Sequence, residues 1–177
     1  MTKNELRREM KRRNLSLSAE ERAEASGRIF AGVASTAAFA AARTVALYCA
    51  LSDEPATERV FGSWASSKRL VIPRVEGDSM RFFDYDAAAL VRGAFGIAEP
   101  GPAARECPPG QIDLIVVPGT AFTADGARMG RGRGYYDRYL AQPGFRGVKV
   151  GVCFAHQLVG ELDTEPHDVL MDRVVSG

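Results

Sequence analysis

Apolar residues along this chain gather in short runs, separated by polar stretches that carry glycine and proline. TVALYCA at 44–50 is a continuous apolar run with β-branched residues, and RLVIPRV at 69–75, IDLIVVPG at 112–119 and VKVGVCF at 148–154 are mostly apolar runs of similar length. Runs of that length and composition predict strands covered on both faces. SMRFFDY at 79–85 and RVVS at 173–176 add two more. Elsewhere the spacing is helical. KNELRREMKRRN, from Lys3, sets Leu6 and Met10 four apart among charges, which predicts a mostly solvated helix with a thin apolar stripe. Ser18 with Glu21 three residues on forms a capping box, so a second helix starts near Ala19, its inner face carrying Ala23, Ile29, Phe30 and Val33. SDEPATERVFGSWASSKR reads as a turn and a helix with Val60, Phe61 and Trp64 inward, and GYYDRYLA as a helix after a glycine-rich loop. Ala87 to Gly110, dense in Gly and Pro, reads as mostly loop.

Strands alternating with helices predict an α/β fold, a single three-layer α/β/α domain over residues 1–177 with a mostly parallel or mixed central sheet. No internal repeat or linker interrupts it. The 177 residues, 46% hydrophobic and 25% charged, are ordinary for one globular unit. The net charge of +1 excludes a general polyanion binder, so any basic site must come from local arrangement. Cys49, Cys107 and Cys153 are widely spaced, with only His156 and His167 to join them, and they read as free thiols in a reducing compartment. No apolar run approaches the roughly 20 residues of a membrane span. The basic N-terminal stretch lacks the apolar segment of a secretory signal, and Glu5 and Glu9 speak against an organelle transit peptide. The expectation is a cytoplasmic protein with no membrane partner.

The densest chemistry lies just after the most apolar strand. RMGRGRGYYD at 128–137 puts glycines at every second position with arginines between them, and ends on a carboxylate. In open α/β sheets, ligands collect beyond the carboxyl ends of strands. Gly130, Gly132 and Gly134 let backbone N–H groups approach a ligand closely, and Arg128, Arg131 and Arg133 add charge-assisted bonds to phosphate or carboxylate oxygens. A helix starting near Tyr135 would turn its positive end to the same anion. The spacing is neither a Walker A loop nor GxGxxG. Arg/Gly alternation also occurs in flexible nucleic-acid-binding segments, and Asp137 alone is equally an ordinary first-turn helix acid.

The string PGTAFTADGARMGRGRGYYDRYL resembles the signature of the 5-formyltetrahydrofolate cyclo-ligase family. The resemblance extends over almost the whole chain. KNELR at 3–7 is similar to that family's N-terminal basic helix and SDEPATE at 52–58 to its acidic turn after the first strand. FGIAEP at 95–100 is similar to its loop before the long strand, and TEPHDVLMDRVV at 164–175 to its C-terminal tail. Thr123 stands where the family more often has Asp, Pro55 falls inside the acidic turn, and Arg133 occupies a variable position.

The resemblance implies an ATP- and Mg²⁺-dependent enzyme that turns 5-formyltetrahydrofolate into 5,10-methenyltetrahydrofolate, with release of ADP and phosphate through a phosphorylated formyl intermediate. It implies ATP binding by Lys3, Arg7, Arg128, Gly130, Gly132, Gly134, Tyr135 and Tyr136. Folate contacts are implied for Cys49, Glu54, Arg131, Gly132, Arg133, Gly134 and Tyr135, with catalytic roles for Arg131, Arg133 and Tyr135. Asp137 and Asp168 match the two Mg²⁺ positions. Read without the resemblance, Glu54 is an ordinary turn acid, Cys49 a packing residue, and His156 and His167 structural. A monomer without a nucleic-acid partner is expected. Two rivals are a relative that keeps the ATP loop but acts on another substrate, and a basic RNA-associated protein using the Arg/Gly loop.

Overall fold

The computed structural model describes residues 1–93 and 96–177. Two N-terminal helices, α1 (Lys3–Leu15) and α2 (Ala19–Ala34), begin at Thr2 and Ser18, each closed by a reciprocal capping box, with Glu5 and Glu21 respectively. A short helix α3 (Ala37–Ala41), capped by Thr36, leads into strand β1 (Thr44–Ala46). Helix α4 (Glu58–Trp64) precedes the hairpin of β2 (Arg69–Glu76) and β3 (Ser79–Asp84). Then come the two-residue strands β4 (Val91–Arg92), β5 (Ala98–Glu99) and β6 (Glu106–Cys107), and the central strand β7 (Leu114–Val117). A small hairpin of β8 (Ala121–Phe122) and β9 (Arg128–Met129) is followed by helix α5 (Tyr135–Ala141) and by strands β10 (Val148–Cys153) and β11 (Arg173–Ser176).

The main sheet runs β11–β10–β7–β1–β2–β3–β6. From β11 to β2 all pairs are parallel, and β3 and β6 add an antiparallel edge, so the sheet is mixed. Alternation along each strand divides the core. Val45, Leu114, Val116 and Val150 face α2, α3 and α4, meeting Ile29, Phe30, Val33, Phe61 and Trp64. Ala46, Ile115, Val117 and Cys153 face the other way, towards Phe122 and the Tyr139 and Leu140 of α5. This is the expected helix–sheet–helix layering, with burial on both sides explaining the continuous apolar runs.

Several boundaries differ from the sequence reading. The run at 44–50 pairs as a strand only through Ala46, although Leu47 N still donates to Val71 O at 3.0 Å. Leu47 and Tyr48 are apolar because they are buried, at 0% and 3% exposure, so hydrophobicity reported packing rather than ladder pairing. The strands expected at 112–119, 79–85 and 148–154 are likewise shorter by one to four residues. Ala23 is exposed, and Ala25 and Ser26 take the inner face of α2 instead. Helix α3 was not anticipated, since AAFAA has one large apolar residue and no period to read. Within 87–110, expected to be loop, β6 extends the sheet edge and β4 pairs with β5. The FGIAEP motif is described only from Gly96 onward, Phe95 lying outside the described residues. The described residues include no helix long and apolar enough to cross a membrane.

Tyr139 sits under β3 with its ring 4.8 Å from that of Phe82 and 5.9 Å from that of Phe145. Its hydroxyl is buried with no hydrogen-bond partner among the described residues. An unpaired buried hydroxyl costs about 1–3 kcal/mol, and the ring packing survives its removal. Tyr139→Phe is therefore expected to raise the urea midpoint without changing the m-value, and a lower midpoint would count against the assignment.

Candidate active site

Strand β1 has β2 on one side and β7 on the other, and its onward connection through α4 covers one face of the sheet. The connection from β7 through α5 covers the opposite face. Chains leaving neighbouring parallel strands on opposite faces open a crevice at the carboxyl ends, the usual place for a ligand. A cleft of about 550 Å³ lies there, a volume suited to a small molecule. All fourteen residues expected in the site line it, although they come from α1, the turn after β1, the loop after β7 and the C-terminal segment.

The acidic turn after β1 is held from outside. Arg22 of α2 donates from Nε to Glu54 O and from Nη2 to Leu51 O, both at 2.9 Å. The Tyr48 hydroxyl donates to Pro55 O at 2.8 Å, so the proline in the turn is accommodated by using its carbonyl. Glu54 itself is 7% exposed, with Oε1 accepting from Leu51 N at 2.9 Å and Oε2 lying 3.6 Å from Arg131 Nη2. Burial pushes its carboxyl above the usual range, and Arg131 opposes that rise. The Cys49 thiol, pushed up to about 11 by burial, stays protonated at neutral pH and packs against the core at the cleft wall.

The glycine loop is rigid at its start and open at its end. Arg128 is buried, donates from Nε to Pro118 O at 2.8 Å, and lies 3.9 Å from Asp137 Oδ2 and over the Tyr136 ring. Arg7 of α1 donates from Nε to Gly130 O at 3.0 Å, which ties the first helix to the loop. Gly132 (φ 105) and Gly134 (φ 72) take left-handed conformations that a side chain would strain, whereas Gly130 does not. Arg131 and Arg133 stand exposed beside them. Helix α5 starts at Tyr135 as expected, with no side-chain cap. Tyr135 Oη donates to Gly77 O at 2.9 Å, which pins the loop to the β2–β3 turn. Thr123, in place of the family's Asp, caps its own turn: Oγ1 accepts from Ala127 N at 3.0 Å and bonds the Asp125 carboxylate.

Asp137 and Asp168 come together. Asp137 Oδ1 accepts from Val169 N at 3.1 Å and Asp168 Oδ2 from Glu165 N at 2.7 Å. Each carboxylate thus keeps one oxygen free of a backbone bond. The described residues contain no cluster of three or more metal-ligating side chains. Two carboxylates fit Mg²⁺, which keeps waters and shares phosphate oxygens, but would not make a self-sufficient cage. His167 lies 3.3 Å from Glu165 Oε2 and 3.6 Å from Asp168 Oδ1, and Glu165 also pairs with Lys3 at 3.2 Å. His156 is bonded to Asn14 and stacked on Phe154, in keeping with a structural role.

Sequence reasoning singled out neither Asp53 nor Glu99. Asp53 binds Arg131 at 2.7 Å, and Glu99 lines the cleft while accepting from Val75 N at 3.0 Å. Both lie inside motifs already recognised, SDEPATE and FGIAEP, and Asp53 adjoins Glu54, which was the only further signal.

A parallel-rich sheet with this cleft at its switch point defines a small-molecule enzyme site of the α/β class. The chain matches the model of the 5-formyltetrahydrofolate cyclo-ligase family over residues 1–177, and it belongs to that family. It is 30% identical to the mouse 5-formyltetrahydrofolate cyclo-ligase over 96% of this chain and 91% of the mouse protein. The NMR structure of the Aquifex aeolicus 5,10-methenyltetrahydrofolate synthetase superposes with a TM-score of 0.89 at 36% identity, covering 99% of this chain and 90% of that one. The Mycoplasma pneumoniae 5,10-methenyltetrahydrofolate synthetase structure gives 0.79 at 28% identity, covering 99% and 98%.

The raised Glu54 carboxyl has a consequence for stability. Because it holds its proton more tightly folded than unfolded, its contribution is fully present below the unfolded value and is lost as pH rises through the folded one. Glu54→Gln is thus expected to raise Tm at pH 7, with the gain shrinking as pH falls towards about 4, the unfolded carboxyl range. A pH-independent difference in Tm between the two proteins would remove this account.

Proposed function

We propose that this enzyme uses ATP and Mg²⁺ to close 5-formyltetrahydrofolate to 5,10-methenyltetrahydrofolate. The reading is carried by the meeting of a buried, desolvated Glu54 with the arginine–glycine loop and two carboxylates in one cleft of a family member. Glu54 receives the paired N–H donors of the pterin edge, a bidentate match for a carboxylate. Cys49 and Tyr135 supply apolar wall, and the glycines of the loop let the formyl end approach the backbone. Lys3 and Arg7 from α1, with Arg128 and Tyr136 from the loop, hold the nucleotide. Asp137 and Asp168 would hold Mg²⁺, which would supply charge neutralisation for the transferring phosphoryl group.

A formyl oxygen is a poor leaving group. Transfer of the γ-phosphoryl group to it gives an imidate phosphate and ADP. N10 then attacks the formyl carbon, loses its proton, and phosphate departs with the C–O bond as the ring closes. Positioning and charge stabilisation carry such a reaction, and Arg131 and Arg133 beside Gly132 provide the charge. Tyr135, anchored to Gly77 O, keeps the loop in register with the folate wall.

Purified protein given 5-formyltetrahydrofolate, Mg²⁺ and ATP is expected to produce the near-ultraviolet band of the methenyl product, with no rise when ATP is omitted or EDTA added. Folded protein that yields no band would sink the folate assignment. In the same assay, Asp137→Asn is expected to lower kcat by about a hundredfold while leaving folate affinity near wild type. Equal kcat in the variant would remove Asp137 from the metal site.

A further inference from the structure

Asp53 stands immediately before Glu54 and shares its burial, with 6% exposure against 7%. Two adjacent buried carboxylates face one guanidinium, and the distances decide between them. Arg131 Nη2 lies 2.7 Å from Asp53 Oδ1, a hydrogen bond, and 3.6 Å from Glu54 Oε2, beyond one. The turn's backbone does not depend on that contact. Asp53 O accepts from Asn14 Nδ2 at 3.0 Å, and Arg22 holds the carbonyls of Leu51 and Glu54.

We propose that Asp53 is a positioning residue for folate binding: by taking the Arg131 hydrogen bond it holds that guanidinium 3.6 Å from Glu54 Oε2, in ion-pair range but short of a hydrogen bond, so that Oε2 is left to receive the pterin donors. The inference rests on Glu54 being the folate acid. Arg131 has the freedom to choose otherwise. Its side chain is 43% exposed, it is followed by Gly132 at φ 105, and its distances to the two carboxylates differ by less than an ångström. A guanidinium matches a carboxylate in a two-pronged geometry, and a buried pair is far stronger than a solvated one. Without the charge at Asp53, Glu54 is the carboxylate left beside Arg131. The ion pair at 3.6 Å would then close to a hydrogen-bonded one, which the substrate must displace to bind. The same placement explains why two acids serve one site: one for the protein's own cation, the other for the ligand.

The test is a double-mutant cycle between Asp53→Asn and Arg131→Gln, with Glu54→Gln as reference and Tm recorded for each variant. Asp53→Asn is expected to raise the folate KM, and the folate Kd measured by calorimetry without ATP, by about tenfold, with the ATP KM within about twofold. In the Arg131→Gln background the same change should add less than about twofold, because the competing cation is gone. An undiminished effect in that background, or an equal rise in the ATP KM, overturns the proposal in favour of a general disturbance of the turn. Asp53→Ser replaces Asp53→Asn if the latter does not fold. No methenyl product from the wild-type enzyme would refute the folate reading and this inference with it. Wild-type turnover, weakened folate binding in Glu54→Gln and an unchanged folate KM in Asp53→Asn would overturn the role of Asp53 alone.

Discussion

The site exists because β1 and β7 are parallel neighbours whose continuations leave on opposite faces of the sheet. Two strands that diverge in this way cannot fill the space beyond their carboxyl ends, and the segments that follow them become its walls. The acidic turn after β1 supplies one wall and the glycine loop after β7 the other. Helix α1 and the C-terminal segment are drawn over the opening by Arg7 on Gly130 and by Lys3 on Glu165. Had both connections run on one face, they would have packed over the strand ends together and closed the space between them.

Charge placement within the cleft follows from what burial permits. Arg128 is buried, so it is matched by Asp137 and by a backbone carbonyl. Asp53 and Glu54 are buried, so Arg131 lies between them. Burial raises the proton affinity of Glu54 and weakens the fold at neutral pH. Burial shifts the thiol of Cys49 in the same direction, and because a thiol starts higher it simply stays protonated and serves as wall.

Much of the fold was readable because both periodicities report burial. The apolar runs at 69–75 and 148–154 became β2 and β10, and Ser18 with Glu21 started α2 where the capping box placed it. What was not readable depended on partners distant in the chain. Nothing local marks Glu106–Cys107 as an edge strand, since Phe82 and Phe83 of β3 provide its ladder. AAFAA is helical only because Thr36 caps it and Lys68, from beyond α4, closes its end through Phe39 O and Ala42 O, both at 2.6 Å.

The sequence by itself determined the α/β class, the order of the main elements and, through motifs whose chemistry is local, the list of residues that line the cleft. Glycine freedom, arginine charge and carboxylate hardness belong to the residues themselves and can be read in one dimension. Only the tertiary structure decided how those residues divide their partners. Arg131 and Asp53 are 78 positions apart, as Arg7 and Gly130 are 123 apart, and no local pattern encodes a contact that forms when two strands are laid side by side. The same holds for Asp137 beside Val169, the bond that brings two separate carboxylates to one place.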